Sequence, residues 1–166
     1  LSGSIESTEK ILKQFNEDTD QASNFLVMLT KKQQETGIST DTLMSSLEEN
    51  SSTLKIMGLN LSSSTNLLAQ FEKNGVDVSQ ALAGLKKSVS TYTDKGLSAN
   101  EALKSTIDSI KNAKTETEAY QIAMDVFGKK GFQPMAVAIR EGKINLDTLS
   151  DSLGNYSTVV NDTYQA

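Results

Sequence analysis

The residue types able to do chemistry are few. His and Cys are both absent, which removes the commonest general base, the thiol nucleophile and the usual transition-metal donors. Hydrolysis would then have to rest on carboxylates, a lysine or a Ser–Lys arrangement. The acid pairs Glu48-Glu49 and Asp18/Asp20 lie in polar, helix-compatible stretches where solvated charge is the ordinary state. Neither resembles the twelve-residue calcium loop with its central glycine. The stretch Gly128-Lys129-Lys130-Gly131 offers backbone N–H groups and positive charge of the kind that attract anions. It lacks the longer glycine spacing, the Lys-Ser or Lys-Thr pair and the preceding strand of a nucleotide-binding loop, and so reads as a helix end and an exposed corner. The Asn-x-Ser/Thr triplets beginning at Asn50, Asn60, Asn155 and Asn161 are expected by chance in a chain so rich in Ser and Thr. The sequence predicts no catalytic residue, no bound metal and no cofactor; it reads as a non-enzyme.

The elements that would carry these residues are helices. Across residues 4–35, Ile5, Ile11, Leu12, Phe15, Ala22, Phe25, Leu26 and Leu29 recur mostly at three-, four- and seven-residue spacings, which predicts one long helix over residues 1–36 with a single buried stripe. The polar run Asn16-Glu17-Asp18-Thr19-Asp20 holds weak helix formers and allows a break or bend near 16–20. After that the chain repeats one local device. Gly37-Ile38-Ser39-Thr40, Gly58-Leu59-Asn60-Leu61-Ser62, Gly75-Val76-Asp77, Gly96-Leu97-Ser98 and Gly142-Lys143-Ile144-Asn145 each place a Gly at a helix end. An apolar residue and a Ser, Thr, Asp or Asn able to cap the next helix follow it. Ser98-Ala99-Asn100-Glu101 and Thr115-Glu116-Thr117-Glu118 fit the reciprocal capping box. Between corners the apolar faces are clean: Val78, Ala81, Leu82, Leu85, Val89 and Tyr92; Ala102, Leu103, Ile107 and Ile110; Ala119, Ile122, Ala123, Val126 and Phe127. Pro134 is expected in a first turn, marking the start of a helix. The glycine spacing invites a solenoid, but the intervening side chains do not repeat. The fold predicted is all-α: an array of one long and several short amphipathic helices joined by tight Gly-containing corners.

With 166 residues, 37% of them hydrophobic, 5% aromatic and no Trp, the chain can form one core of thin aliphatic layers. A net charge of −5 lacks the footprint through which proteins displace counterions from phosphate backbones, so no nucleic acid binding is expected. No stretch approaches a membrane span and no signal peptide opens the chain. It begins at Leu1 and stops at Tyr164-Gln165-Ala166 within what reads as a new helical pattern. We therefore expect an excised segment, with residues 155–166 the truncated start of a further helix. Val27 and Met28 stand beside the stripe of the first helix as surplus apolar residues, but no heptad is sustained, and a monomer is expected.

The stretch from Glu118 through Ala119-Tyr120-Gln121-Ile122-Ala123-Met124-Asp125-Val126-Phe127-Gly128-Lys129-Lys130-Gly131-Phe132-Gln133-Pro134-Met135-Ala136-Val137-Ala138-Ile139-Arg140-Glu141-Gly142 resembles the helix, Phe-Gly-x-x-Gly corner and Ala-Ile-Arg-x-Gly helix of tail tape measure proteins from long-tailed phages and prophages. Upstream, Leu67 to Val78, then Ala81-Leu82-Ala83-Gly84-Leu85, then Gly96-Leu97 with Glu101-Ala102-Leu103, are similar to the same family in the same order. The resemblance spans roughly residues 37–154, marking that segment as a compact multi-helix module. The family often has small residues where this chain carries Lys129 and Lys130. The matching positions are Phe127, Gly128, Gly131, Ile139, Arg140 and Gly142. The resemblance gives them fold-determining roles: Phe127 and Ile139 packing two helices across the corner, Gly128 and Gly131 turning the backbone, Gly142 closing the second helix. Arg140 would cap carbonyls, pair with an acid or take part in recognition.

The resemblance further implies a structural and assembly protein that sets tail length and occupies the tail tube until DNA ejection, present in the virion tail and in the host cytoplasm during assembly. Its implied partners are tail tube, tail tip or tail assembly proteins and a host envelope protein. The residues alone also suit a helical protein-binding adaptor unrelated to phage. A small cell-wall hydrolase is a third reading, and the missing His and Cys argue against it.

Overall fold

The computed structural model describes residues 2–156, and within them the chain is all-α. The helices are α1 (Ser2–Gln14), α2 (Ala22–Thr36), α3 (Thr40–Ile56), α4 (Leu61–Lys73), α5 (Val78–Thr93), α6 (Ala99–Lys111) and α7 (Glu116–Arg140). Short 3-10 turns lie at Thr19–Gln21, Asp147–Ser150 and Leu153–Tyr156. No strand occurs among the described residues. The further helix expected over 155–166 falls, from residue 157 on, outside them. No described helix is long and apolar enough to cross a membrane.

The helices end where local chemistry makes them end. At Gly58 the N–H of Leu59 reaches back to the Leu54 carbonyl (3.1 Å) and that of Gly58 to Lys55 (2.9 Å), with Gly58 at φ +80°. This closing turn needs a left-handed residue, and it carries an apolar contact between the residue after the glycine and the residue four before it. Leu59 and Leu54 are both buried, so at this corner the apolar residue serves the helix behind it, while the polar Asn60 serves the helix ahead. The same paired bonds close α4 at Gly75, α5 at Gly96 and α7 at Gly142.

The segment predicted as one long helix over 1–36, with a break or bend allowed near 16–20, is two helices separated at that place. Among the described residues Asn16, at φ 58°, is the single non-glycine residue with positive φ, and Glu17 N–H to Leu12 O (2.8 Å) with Asn16 N–H to Lys13 O (3.1 Å) closes α1 as the glycines close the others. Asn tolerates this conformation because its short side chain is polar and unbranched. The break resets the helical phase. Leu26, assigned to the stripe, is 47% exposed, whereas Met28, read as surplus, is fully buried. On α1 the stripe is Thr8, Ile11, Leu12 and Phe15; Ile5, a turn earlier, is 61% exposed.

Each of α3 to α7 starts on a side-chain cap: Ser39, Asn60, Asp77, Ser98 and Thr115 accept the backbone N–H three residues on. The two reciprocal boxes expected at Ser98 and Thr115 form only in that direction. The Ser98 hydroxyl donates to Glu101 Oε1 (3.0 Å), drawing the carboxylate away from the backbone N–H it was to meet. The fully reciprocal box is at Asn60, whose Oδ1 accepts from Ser63 N–H (2.8 Å) while Ser63 Oγ accepts from Asn60 N–H (3.1 Å).

Helices α5, α6 and α7 pack mutually; α3 bridges to α5, α1 lies on α3, and α2 lies on α4 and on the turn Leu153–Tyr156. Helix α4 is enclosed: from Leu61 to Phe71 every side chain except Gln70 is buried, including Ser62, Ser63, Ser64, Thr65 and Asn66. A helix polar on one side yet buried all round needs internal hydrogen-bond partners. Thr65 Oγ1 donates to Leu61 O and Asn66 Nδ2 to Ser62 O, each back along the same helix. Ser64 Oγ is buried without a partner among the described residues.

Candidate functional site

The family-like residues sit around a break in α7. Gly128 leaves the helix at φ 79°, ψ 168°, a region that only glycine occupies readily, and divides α7 into arms 116–127 and 129–140. The Gln80 side chain of α5 fills the notch, its Nε2 directed at the Phe127 carbonyl at 3.4 Å. Gly131, expected to turn the backbone, does not: it is helical, and its missing side chain makes room for Gln80, whose Cδ would lie 2.8 Å from a Cβ there. Gly84 works alike on α5, where a Cβ would run into the Val126 carbonyl oxygen. Pro134 is not in the first turn of the second arm. The helix restarts at Gly128, six residues earlier, and the proline lies inside α7, where it forgoes a backbone bond. Phe127 and Ile139 are both buried in the core, and Gly142 closes the second arm at φ 75°.

Arg140 ends α7 beside the end of α6. Its Nη1 donates to the carbonyl oxygens of Ile110 (3.3 Å), Lys111 (3.1 Å) and Ala113 (2.7 Å). A helix C-terminus carries partial negative charge on carbonyls that lack intrahelical partners, and a guanidinium there satisfies several at once. Of the roles open to Arg140 in the sequence, it is carbonyls that the side chain meets. Lys129 and Lys130 are exposed.

A second constellation joins the C-terminal turns to α4. The Asp151 Oδ2 accepts from Ser62 Oγ (2.9 Å), Asn66 Nδ2 (3.0 Å) and Tyr156 Oη (2.5 Å), and Oδ1 accepts from Asn155 Nδ2. Its main-chain oxygen accepts from Asn60 Nδ2 (2.9 Å). The carboxylate therefore lies over the first turn of α4, where the helix dipole favours negative charge. Partial burial pulls its pKa upward, but the bonds from Tyr156, Asn155, Ser62 and Asn66 outweigh that and hold it at about 2. Burial, then the hydrogen bond to Asp151 and its charge, push the Tyr156 phenol up to about 12. A carboxylate so low and so fully engaged accepts protons poorly at neutral pH, and Ser62 beneath it is 1% exposed. The arrangement fastens rather than reacts. Six residues earlier, Gln70 holds the backbone of Asn145 from both sides, Nε2 donating to its carbonyl (2.9 Å) and Oε1 accepting from its N–H.

Among the described residues no group of acidic side chains gathers in a way that could hold a metal ion. Comparison of the chain with protein-family models, with curated proteins and with solved structures gives no match.

Sequence reasoning did not find the Asp151 constellation. Asp151 has no partner within helical reach on its N-terminal side, and its α4 donors stand more than eighty residues away. The one signal was Ser62-Ser63-Ser64-Thr65-Asn66, a polar run set between apolar residues of α4, which reads as a surface face unless a partner for it is sought.

Proposed function

We propose that this chain is a structural and assembly module of a phage tail tape measure protein, part of the polypeptide that sets tail length and occupies the tail tube until DNA ejection. The observation that carries the reading is the order of matching residues from Leu67 to Gly142, ending in the Phe127-Gly128 and Ile139-Arg140-x-Gly142 elements. Each of these residues is engaged in packing, turning or capping, which suits a scaffold. A straight helix of comparable length would span about 230 Å at 1.5 Å per residue. Helices folded back on one another reach far less, so this module adds girth and contact surface to the ruler and little length. Its partners in this reading are tail tube, tip or assembly proteins and a host envelope protein, in the virion tail and, during assembly, in the host cytoplasm.

Mass spectrometry of purified tails tests the reading. Peptides of this chain should be present at a fixed copy number in intact particles and depleted from particles that have ejected their DNA. Absence from particles, with recovery in complex with a cellular protein, would overturn it in favour of the helical adaptor.

A further inference from the structure

We propose that residues 145–156 form a separable strap, which opens away from α2 and α4 while the seven helices stay folded. The strap has little regular structure of its own. Its regular structure is the two short 3-10 turns Asp147–Ser150 and Leu153–Tyr156, so no α-helical ladder holds it together. Its attachments to the helices run through side chains at two stations: the Gln70 amide on the Asn145 backbone, and the Asp151 constellation on Asn60, Ser62 and Asn66. Lys31 of α2 adds its ammonium over the Tyr156 ring, 5.6 Å from the centroid. Leu153 and Tyr156 are buried, and Leu146 and Leu149 are half-buried against the core. Ile144, buried at its base, lines a groove with Ile107 of α6 and provides the pivot.

Opening such a strap differs in kind from opening the bundle. Hydrogen bonds from Ser62, Asn66 and Tyr156 are exchanged for bonds to water, which leaves a small net difference, and two buried and two half-buried apolar side chains lose their seat, far fewer than the helices bury among themselves. The α5–α6–α7 packing is made by those helices on one another, although Leu146 and Asp147 line the groove beside α6. Small apolar burial and few regular backbone bonds are the marks of a segment at the low end of the local-stability range. The strap is thus latched by geometry, over a helix face whose hydroxyl and amide groups become available when it lifts. This inference rests on the contacts alone and is independent of the tape measure reading.

Native-state hydrogen exchange on the intact chain tests it, with mass spectrometry resolving peptides over 145–156, the first turns of α4, and α5 with α6. In the wild type, 145–156 should be protected, yet exchange at least tenfold faster than α5 and α6 through an opening that depends weakly on denaturant. Asp151→Asn should speed exchange over 145–156 and residues 61–66 together by ten- to a hundredfold and leave α5 and α6 unchanged. Gln70→Ala, which loosens the other station, should do the same to a smaller degree and serves if Asp151→Asn does not fold. Exchange of 145–156 at the rate and denaturant dependence of α5 and α6 would overturn the proposal. So would a wild-type strap exchanging as an unprotected chain, or Gln70→Ala accelerating all regions equally.

Discussion

Arg140 shows how one side chain ties the end of one helix to the end of another. Its three carbonyl partners come from the last turn of α6 and the link beyond it. Hydrogen bonds from a charged donor contribute about 1.5–3 kcal/mol, and with these carbonyls only part-buried or exposed Arg140→Ala should destabilise the chain by about 1.5 kcal/mol in urea unfolding. Arg140→Lys should recover only part of that, since the three bonds converge on the single nitrogen Nη1 and a flexible lysine stem loses more freedom in holding its nitrogen there; full recovery would mean that charge alone matters. Gly131 makes a sharper test, because the obstacle to a larger residue there is the Gln80 side chain and not backbone. Gly131→Ala alone should cost about 1–2 kcal/mol by crowding. In a Gln80→Ala background it should become neutral or stabilising, since alanine is the better helix former by about 1 kcal/mol. Equal costs in both backgrounds would place the conflict elsewhere. The sequence marked Gly131 correctly as a position where a side chain is unwelcome, but the reason it suggested was the wrong one of two that glycine can serve.

Helix ends were legible because both halves of each corner are local. A glycine able to reach positive φ, an apolar residue packing behind it and a capping oxygen ahead lie within a few residues, and five such corners could be read directly. Asn16 performs the glycine's task but was not singled out, because asparagine is common in polar stretches for other reasons. The buried polar face of α4 and the strap over it were not legible at all: their partners are remote in sequence, and 145–156 has no periodicity to betray what it covers. Those partners set a pH window. Asp151 ordinarily titrates near 3.8 and here at about 2, so its contribution is complete above about pH 4 and is lost as the pH falls through about 2. Tyr156 ordinarily titrates at 10.0 and here at about 12; its neutral form is the one held, so its contribution is complete below about pH 10 and is lost as the pH rises through about 12. The attachment of the strap should therefore be flat between about pH 4 and pH 10 and weaken on both sides, as read by NMR titration of the Tyr156 ring. A transition centred near pH 4 would show an Asp151 carboxylate in ordinary solvent.

For the molecule as a whole, the all-α class followed from periodicity and punctuation, whereas the mutual placement of helices did not, since amphipathic stripes say what must be covered and not by which neighbour. Charge acts at this scale too. With a net charge of −5 and Lys129 and Lys130 lying apart in an exposed corner, the chain should not shift duplex DNA in a gel at 50 mM salt; a shift that weakens steeply with added salt would reveal a basic surface that composition conceals. Within a tail tube, such an acidic module would repel passing DNA rather than retain it.

The enclosure of α4 has one more consequence. Because that helix is the post around which α2, α3 and the strap are gathered, foreign sequence is best grafted away from it. The corner at Asp94-Lys95-Gly96 is exposed and joins two helices outside that ring. An epitope inserted at this exposed corner would offer a handle by which, under the tape measure proposal, the module could be located inside an assembled particle.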